Sequence, residues 1–462
     1  MFLIPKKKRG NGYFRRLTLL KKFFWLYFFL LILEGALRKW VAPQFTGPLL
    51  IVRDPVALWI VWEAYRTHKW PARWSSLISA LTVGVVTLFV VQIVAGGNSW
   101  LVELYGLRSY LLPFPVAFIM AENLDGEDLR KLAAWTLILL LPNAVLAAVQ
   151  FVSPATSFIN AGAGVGGRQL DYVNGGVRAS GTFSFVLGLT EFCTLAAAFI
   201  FHGMAKPGFV KTWLLWAGAC ALVFTIPMTG ERTLVYEIIL VLGCVGLSAL
   251  FGISQFVRAL RILVPLIILT VMVSFLPVFS QAMAHMTERF TGANQMEGGA
   301  ETSVYERIIE PMIEEIETEA TSSNWIGVGM GRGAIAVQTL FGTGGIDFGE
   351  GEAAREILEM GAIAGLGFVL FKILLAIKVF GMALARAREQ EPLALLLVPL
   401  ALNALVLGVP EQPPEQGFIV IGLAFCIAAA RIPAPAAQSL LPSTLQRQTA
   451  AYSRRVAIRG KN

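Results

Sequence analysis

The chain carries a series of apolar runs close to the length of a membrane-crossing helix, and this feature limits its fold most strongly. About 20 apolar residues span the hydrocarbon core of a bilayer. In addition, 56% of the 462 residues are hydrophobic and only 15% are charged, which lies outside the usual composition of soluble domains. The sequence predicts an all-α polytopic membrane protein with about twelve transmembrane helices. We place them near residues 23–37, 48–64, 75–95, 101–121, 131–152, 182–202, 211–229, 233–252, 262–279, 353–382, 392–409 and 417–431.

This pattern divides the chain into five segments. A basic N-terminus precedes nine helices, a large polar loop separates these from three more helices, and a tail rich in Ala, Pro, Ser and Gln follows. The segments are residues 1–22, 23–279, 280–352, 353–431 and 432–462. Residues 34–39 offer no clear cleavage site after the first apolar run, so we expect a retained first helix rather than a signal peptide.

Basic residues gather in alternate loops and in both tails, which indicates the orientation of the chain. Lys and Arg favour the cytoplasmic side of a membrane. An even number of crossings then leaves both termini in the cytoplasm and the loop 280–352 outside. This bias accounts for the net charge of +8, so we expect contact with membrane lipid and no nucleic-acid partner.

Cysteine and histidine are too few and too dispersed to form a metal site. Zinc sites need closely spaced Cys or His ligands. The four cysteines fall inside apolar runs, and only three histidines occur in the chain. We therefore expect no disulfide framework, no metal and no cofactor.

The polar loop is predicted to contain an amphipathic helix. Residues 303–306 fit a capping box, and the apolar positions that follow recur at helical spacing. Pro311 should kink this helix. Its acidic face indicates a solvated surface above an apolar face that rests on the membrane domain.

Arginines on the outer side are the first candidate site residues, because a guanidinium near a membrane is costly and usually marks a site or a structural pair. The candidates are Arg178, Arg232, Arg289, Arg307 and Arg332. Arg232 lies in a very short turn between two apolar runs, where its planar fork can bind phosphate oxygens of a lipid-linked diphosphate. The alternative is an interfacial arginine paired with Glu231 or with lipid headgroups.

Carboxylates before the tenth apolar run form the second candidate group. Glu352, Glu356 and Glu359 have the spacing of one helical face, and Glu350 lies just before them. Glu350 or Glu352 can serve as a general base that takes a proton from an acceptor hydroxyl. The alternative is that both simply stabilise the N-terminus of a helix.

Glycines alternate in residues 327–333, Gly-Val-Gly-Met-Gly-Arg-Gly. The segment lacks the Lys-Ser/Thr ending of a P-loop and the spacing of a dinucleotide-binding fingerprint. We interpret it as a tight glycine turn. Close approach of its backbone to a phosphate or a sugar is the alternative.

Several short motifs together resemble the O-antigen ligase/polymerase superfamily. They are Arg-Ala-Ser-Gly-Thr-Phe-Ser at 178–184, Gly-Glu-Arg-Thr at 230–233, the glycine segment, and Glu-Ile-Leu-Glu-Met-Gly-Ala-Ile-Ala-Gly at 356–365. Members of this superfamily are bacterial inner-membrane glycosyltransferases with a GT-C-like fold. Arg178 and Arg232 match arginines of the family, and Glu350 stands where the family has a catalytic histidine.

The resemblance implies a function. It implies metal-independent, inverting transfer of a glycan from an undecaprenyl-diphosphate carrier to a glycan or lipid acceptor, with other proteins of polysaccharide biosynthesis as partners. One alternative is a transporter of lipid-linked glycan, which would need ionisable residues near the middle of the membrane, such as Asp54, Glu191 and Glu237. Another is a catalytically inactive accessory protein of an export system.

Overall fold

The architecture is helical throughout the part of the chain that the computed structural model describes. These residues are 18–96, 99–163, 177–251, 253–297, 310, 313–314, 317, 325–334, 337 and 352–432. Sixteen α-helices have complete bounds there, which confirms the all-α fold. They are α1 Leu19–Ala36, α2 Thr46–Leu50, α3 Asp54–Arg66, α4 Ser75–Gly96, α5 Trp100–Leu111, α6 Pro113–Asn123, α7 Gly126–Val152, α8 Val186–Ala205, α9 Thr212–Thr229, α10 Arg232–Ala249, α11 Ile253–Ser274, α12 Pro277–Glu297, α13 Glu352–Met360, α14 Ala362–Arg388, α15 Leu393–Val406 and α16 Pro413–Arg431.

Apolar helices long enough to cross a membrane dominate the fold, as expected of a multi-pass membrane protein. Nine helical spans in the described residues meet the length and hydropathy required, or ten if the bent pair formed by α11 and α12 is counted. Two of the nine join neighbouring helices, α2 with α3 and α5 with α6. Helix α1 includes Lys21, Lys22 and Glu34, and α15 has only 14 residues. The described helices thus support nine or ten spans, fewer than the predicted twelve.

The core lies around α8 and α16. In each of these helices 94% of the most apolar stretch is buried, compared with 17% in α4, whose side chains mostly face outwards. Small residues let the central helices approach closely: Gly422 of α16 packs against the backbone of Ala401 in α15. This is the usual way that helices associate within lipid.

Three helix boundaries differ from the sequence prediction. The apolar run 353–382 is divided at Gly361, whose φ of +80° ends α13 and lets α14 begin at Ala362. The predicted loop begins at residue 280, yet α12 continues to Glu297. The axes of α11 and α12 are bent by 101°. The predicted loop helix at 303–316 lies largely outside the described residues.

Close backbone contact between α1 and the segment after residue 181 gives a test of the packing. A Cβ atom at Gly35 would overlap the backbone of Phe183 and Ser184, whereas Gly84 of α4 faces open space. We expect Gly35→Ala to lower the free energy of unfolding by about 1–3 kcal/mol, the usual range for overpacking. Thermal unfolding in detergent measures this change.

Gly84→Ala is the matched control, because it adds the same methyl group to a helix without a clash. It should leave the unfolding temperature unchanged or raise it slightly. Equal behaviour of the two variants would contradict the contact between α1 and residues 182–184.

Candidate functional site

Three of the five candidate arginines come together at the turn between α9 and α10. Gly230 adopts a left-handed conformation with φ of +60°, and α10 begins two residues later at Arg232. Arg178 forms an ion pair with Glu231. Arg289 of α12 donates to the carbonyl oxygen of Gly230 at 2.6 Å. We call Arg178, Arg232 and Arg289 the arginine cluster.

The acidic residue of the turn pairs with an arginine from outside the turn. Glu231, the partner that the alternative drawn from the sequence assigned to Arg232, forms an ion pair with Arg178. The positive charge at the turn is supplied by three separate segments of the chain, and one acidic side chain lies among them. Such a turn can bind a phosphate-bearing group, because guanidinium groups form charge-assisted hydrogen bonds with phosphate oxygens.

The segment that carries Arg178 is held in place by buried polar side chains of α7. Gln150 accepts from the backbone N–H groups of Ser180 and Gly181 at 3.2 and 2.8 Å. Asn143 accepts from the N–H of Thr182 at 2.9 Å. These bonds fix the backbone on the C-terminal side of Arg178, so its guanidinium extends from a well-defined position.

Lys39, which the sequence reasoning missed, reaches the same segment from the end of α1. Its ammonium donates to the hydroxyl of Ser180 at 2.9 Å and to the carbonyl oxygen of Gly181 at 2.6 Å. Burial lowers the pKa of Lys39 to about 7. A single lysine after an apolar helix looks like a membrane anchor in the sequence, and only the fold reveals its inward direction.

Buried carboxylates lie on α13 and on the turn before α16. Glu356 and Glu359 are fully buried, and Glu352 and Glu411 are nearly so. The three α13 glutamates have the spacing of one helical face within Glu352–Met360, and Ala354, Ile357 and Met360 of the same helix are buried as well. We call Glu352, Glu356, Glu359 and Glu411 the acidic cluster; Glu411 was not among the candidates named from the sequence.

Two cations partly balance the acidic cluster. Lys372 of α14 contacts Glu356 at 2.5 Å. Arg355 lies 3.6 Å from Glu352 and 3.8 Å from Glu411. Among the described residues, no hydrogen bond reaches a carboxylate oxygen of Glu352 or Glu411.

The environment favours the protonated form of Glu352 and Glu411. Burial raises the pKa of Glu352 well above its usual value, and the charge of Arg355 opposes this shift. For Glu411, burial again raises the pKa most, followed by the negative charge of Glu359. Both carboxyl groups therefore keep their protons to a higher pH than free carboxyl groups do.

Glu359 has a structural role. Its carboxylate accepts from the N–H groups of Gly331 and Gly333 at 2.9 and 2.7 Å and from the hydroxyl of Tyr110 at 2.8 Å. The glycine turn that the sequence predicted is confirmed, because Gly327 and Gly331 have φ values of +80° and +84°. The sequence grouped Glu359 with the candidate carboxylates; the structure assigns it to holding this turn.

The remaining candidates lie elsewhere. Arg332 lies on the glycine turn, beside the acidic cluster, and donates to the carbonyl oxygen of Val328 at 3.2 Å. Glu350 and Arg307 lie outside the described residues. The structure thus brings together Arg178, Arg232 and Arg289, whereas Glu352 lies on α13 and Arg332 on the glycine turn.

A band of buried ion pairs lies between the two clusters. Glu34 of α1 accepts from both Arg38 and Arg53, at 3.2 and 3.0 Å, and Arg53 also reaches the carbonyl oxygen of Pro413. Arg108 pairs with Asp54. One end of the bundle therefore has a cation-rich half and an acid-rich half, joined by polar contacts.

Replacing Glu359 by glutamine and replacing Glu352 by glutamine should have different effects on the stability of the protein. Glu359→Gln removes one of the acceptor oxygens that receive three hydrogen bonds, so we expect a loss of about 1–3 kcal/mol in the free energy of unfolding. Glu352→Gln removes a buried acid that lacks hydrogen bonds, so stability at pH 7 should be unchanged or higher. Thermal unfolding of both variants measures the contrast.

The pH dependence of the folding stability, measured for wild type and for Glu352→Gln, provides the control. Above about pH 4.5, the unfolded chain loses the Glu352 proton while the folded chain keeps it, so wild-type stability falls as the pH rises towards the raised pKa. Glu352→Gln should weaken this fall between about pH 5 and pH 7. An identical slope in wild type and variant would show that Glu352 is ionised in the folded protein.

Comparison with known protein families, with characterised proteins and with solved structures finds no match. The family resemblance therefore rests on the short motifs alone. What the geometry adds is independent of it: three arginines at one turn and a set of buried carboxylates at the same end of the bundle.

Proposed function

We propose that this protein is a glycosyltransferase that polymerises or ligates an undecaprenyl-diphosphate-linked glycan at the outer face of the bacterial inner membrane. The observation that supports the proposal most directly is the meeting of Arg178 and Arg289 at the turn that carries Arg232. A diphosphate bears several negative charges, and three guanidinium groups from separate segments suit it.

The proposal includes twelve crossings with both termini in the cytoplasm. Counting α1, α11 and α15 with the nine spans gives this number. The arginine and acidic clusters then lie at the outer end of the bundle. At the opposite end lie Lys21 with Asp125 and Lys206 with Glu391, pairs that fit cytoplasmic loops.

The proposed chemistry needs no metal. An acceptor hydroxyl attacks the anomeric carbon of the donor, the bond from that carbon to the diphosphate oxygen breaks, and undecaprenyl diphosphate leaves with its charge stabilised by the arginine cluster. Attack from the face opposite the leaving group inverts the anomeric configuration. The hydroxyl proton passes to a carboxylate, for which Glu350 and Glu352 are the candidates.

Glu352 has one property that suits a base. A general base works best when its pKa lies near the operating pH, and burial moves the pKa of Glu352 in that direction. Its position next to Arg355 on a short helix also keeps its orientation fixed. Glu350, which lies outside the described residues, is the other candidate.

Replacing Arg232 by lysine tests the diphosphate site. Lysine keeps the positive charge but loses the planar fork, so we expect transfer to fall roughly ten- to a hundredfold at normal protein levels. The measurement is glycan transfer by purified protein in detergent, using lipid-linked donor isolated from cells that lack this protein. Arg388→Lys, at the far end of α14, is the matched control and should keep wild-type activity.

Labelling of single cysteines tests the orientation. Thr156 follows α7 at the end that bears the arginine cluster, and Gln390 lies between α14 and α15 at the other end; both are exposed. In a chain without native cysteines, an impermeant thiol reagent added to intact spheroplasts should label Thr156→Cys and not Gln390→Cys. The reverse pattern would invert the proposed topology.

A second candidate function, lipid-linked glycan transport, is favoured by a different observation. Glu191 of α8 and Glu237 of α10 are buried within spanning helices: Thr194, one turn from Glu191, donates to Glu237, and Asn403 donates to Glu191 at 2.7 Å. Buried acids inside a membrane often mark an ion pathway. The detergent assay separates the two functions, because only an enzyme forms product without a second compartment.

A further inference from the structure

A cavity of about 190 Å³ opens at the end of the bundle opposite the arginine cluster. It is formed where α7 and α15 begin and where α8, α14 and α16 end. Since a water molecule occupies about 30 Å³ in the liquid, the cavity has room for roughly six waters or for a small polar headgroup.

The wall of the cavity carries positive charge. Lys206 follows α8, and Arg386 lies in the last turn of α14. The Arg386 guanidinium pairs with Glu389 and donates to the carbonyl oxygen of Ile432. Two cationic side chains on one wall favour an anionic ligand.

One acidic side chain already forms an ion pair with a cation that a ligand would use. Both carboxylate oxygens of Glu391 contact the ammonium of Lys206, at 2.6 and 2.8 Å. Glu391 lies in the short connection between α14 and α15, and Gln390 beside it has a positive φ of 64°. The Glu391 carboxylate therefore pairs with Lys206 from a turn and not from a helix.

The floor of the cavity is apolar. Leu129, Phe209 and Leu393 line it, and the ring of Phe209 packs edge-on against His202 with centroids 4.6 Å apart. An apolar floor beneath a cationic wall suits an amphipathic anion better than a free inorganic ion.

The level of the cavity along the helices indicates that the anion comes from a membrane lipid. Helices α7 and α14 have 27 residues each, which corresponds to about 40 Å of helix. The hydrocarbon core is only about 30 Å thick. The cavity is lined by the first turn of α7 and the last turn of α14, so it lies at the level of the lipid headgroups.

We propose that this cavity binds the phosphate headgroup of an anionic membrane lipid, which displaces Glu391 from Lys206. The phosphate contacts Lys206 beside the guanidinium group of Arg386, while the glycerol backbone of the lipid rests against the apolar floor. This site is independent of the proposed glycosyl transfer and lies at the other end of the molecule.

Lipid-dependent thermal stability tests the site. Purified protein in neutral detergent is titrated with phosphatidylglycerol, and the unfolding temperature is followed against the mole fraction of lipid. We expect a saturable rise for wild type. Lys206→Gln should need about tenfold more lipid for the half-maximal rise, the effect of losing one charged hydrogen bond.

The matched control is Lys211→Gln, because Lys211 is exposed at the same end of the bundle but does not line the cavity. It should respond as wild type does. An equal shift in Lys211→Gln, or a wild-type response in Lys206→Gln, would overturn the site. Glycerol phosphate that stabilises wild type as strongly as the lipid would overturn the lipid source in favour of a soluble ligand.

Glu391→Gln provides a second arm if Lys206→Gln fails to fold. Removing the competing carboxylate should lower the amount of phosphatidylglycerol needed for the half-maximal rise. An unchanged or higher requirement would overturn the displacement of Glu391 by phosphate.

Discussion

The carboxylate of Glu359 is the interaction on which the end of the bundle that carries the candidate site depends. It gathers two N–H groups of the glycine turn and the hydroxyl of Tyr110, while its backbone carbonyl accepts from Gln92 at 2.7 Å. One residue thus connects α4, α5, α13 and the glycine turn. Hydrogen bonds to a carboxylate are stronger than neutral ones, and losing them in a buried site is costly.

The buried carboxylates at this end of the bundle differ in how their negative charge is compensated. Glu359 is satisfied by hydrogen bonds, Glu356 by Lys372, and Glu34 by two guanidinium groups. Glu352 and Glu411 lie 3.6 and 3.8 Å from the single guanidinium group of Arg355. A buried acid with so little compensation is poorly stabilised as an anion.

Apolar run lengths were enough to predict an all-helical membrane protein, because run length and composition are local properties of the chain. The short turn at Arg232 and the glycine turn were also predictable, since both depend on residue types that favour tight turns. The break at Gly361 was not, because glycine is common in spanning helices. It is the backbone of Trp325, far away in the sequence, that occupies the space beside Gly361.

Partners of charged side chains were the least predictable part of the site. Arg178 and Glu231 are 53 positions apart in the sequence, and Lys39 and Ser180 are 141 positions apart. No periodicity in the sequence encodes such pairs, since they form only when α1, α7 and α9 pack together. The candidate arginines could be named from their position near apolar runs, whereas their meeting at one turn required the fold.

The bend between α11 and α12 determines how a ligand can reach the arginine cluster. A helix that turns by 101° from a neighbouring span runs close to the plane of the bilayer. Phe279, Ala282 and Met286 of α12 are buried at helical spacing, and the ring of Phe279 stacks with that of Phe224 in α9. In the proposed orientation, Arg289 therefore approaches the turn from the side, along the membrane surface. The lipid-linked donor of the proposed reaction, bound there, would keep its hydrocarbon tail in the bilayer and would arrive by lateral diffusion in two dimensions, not through the surrounding water.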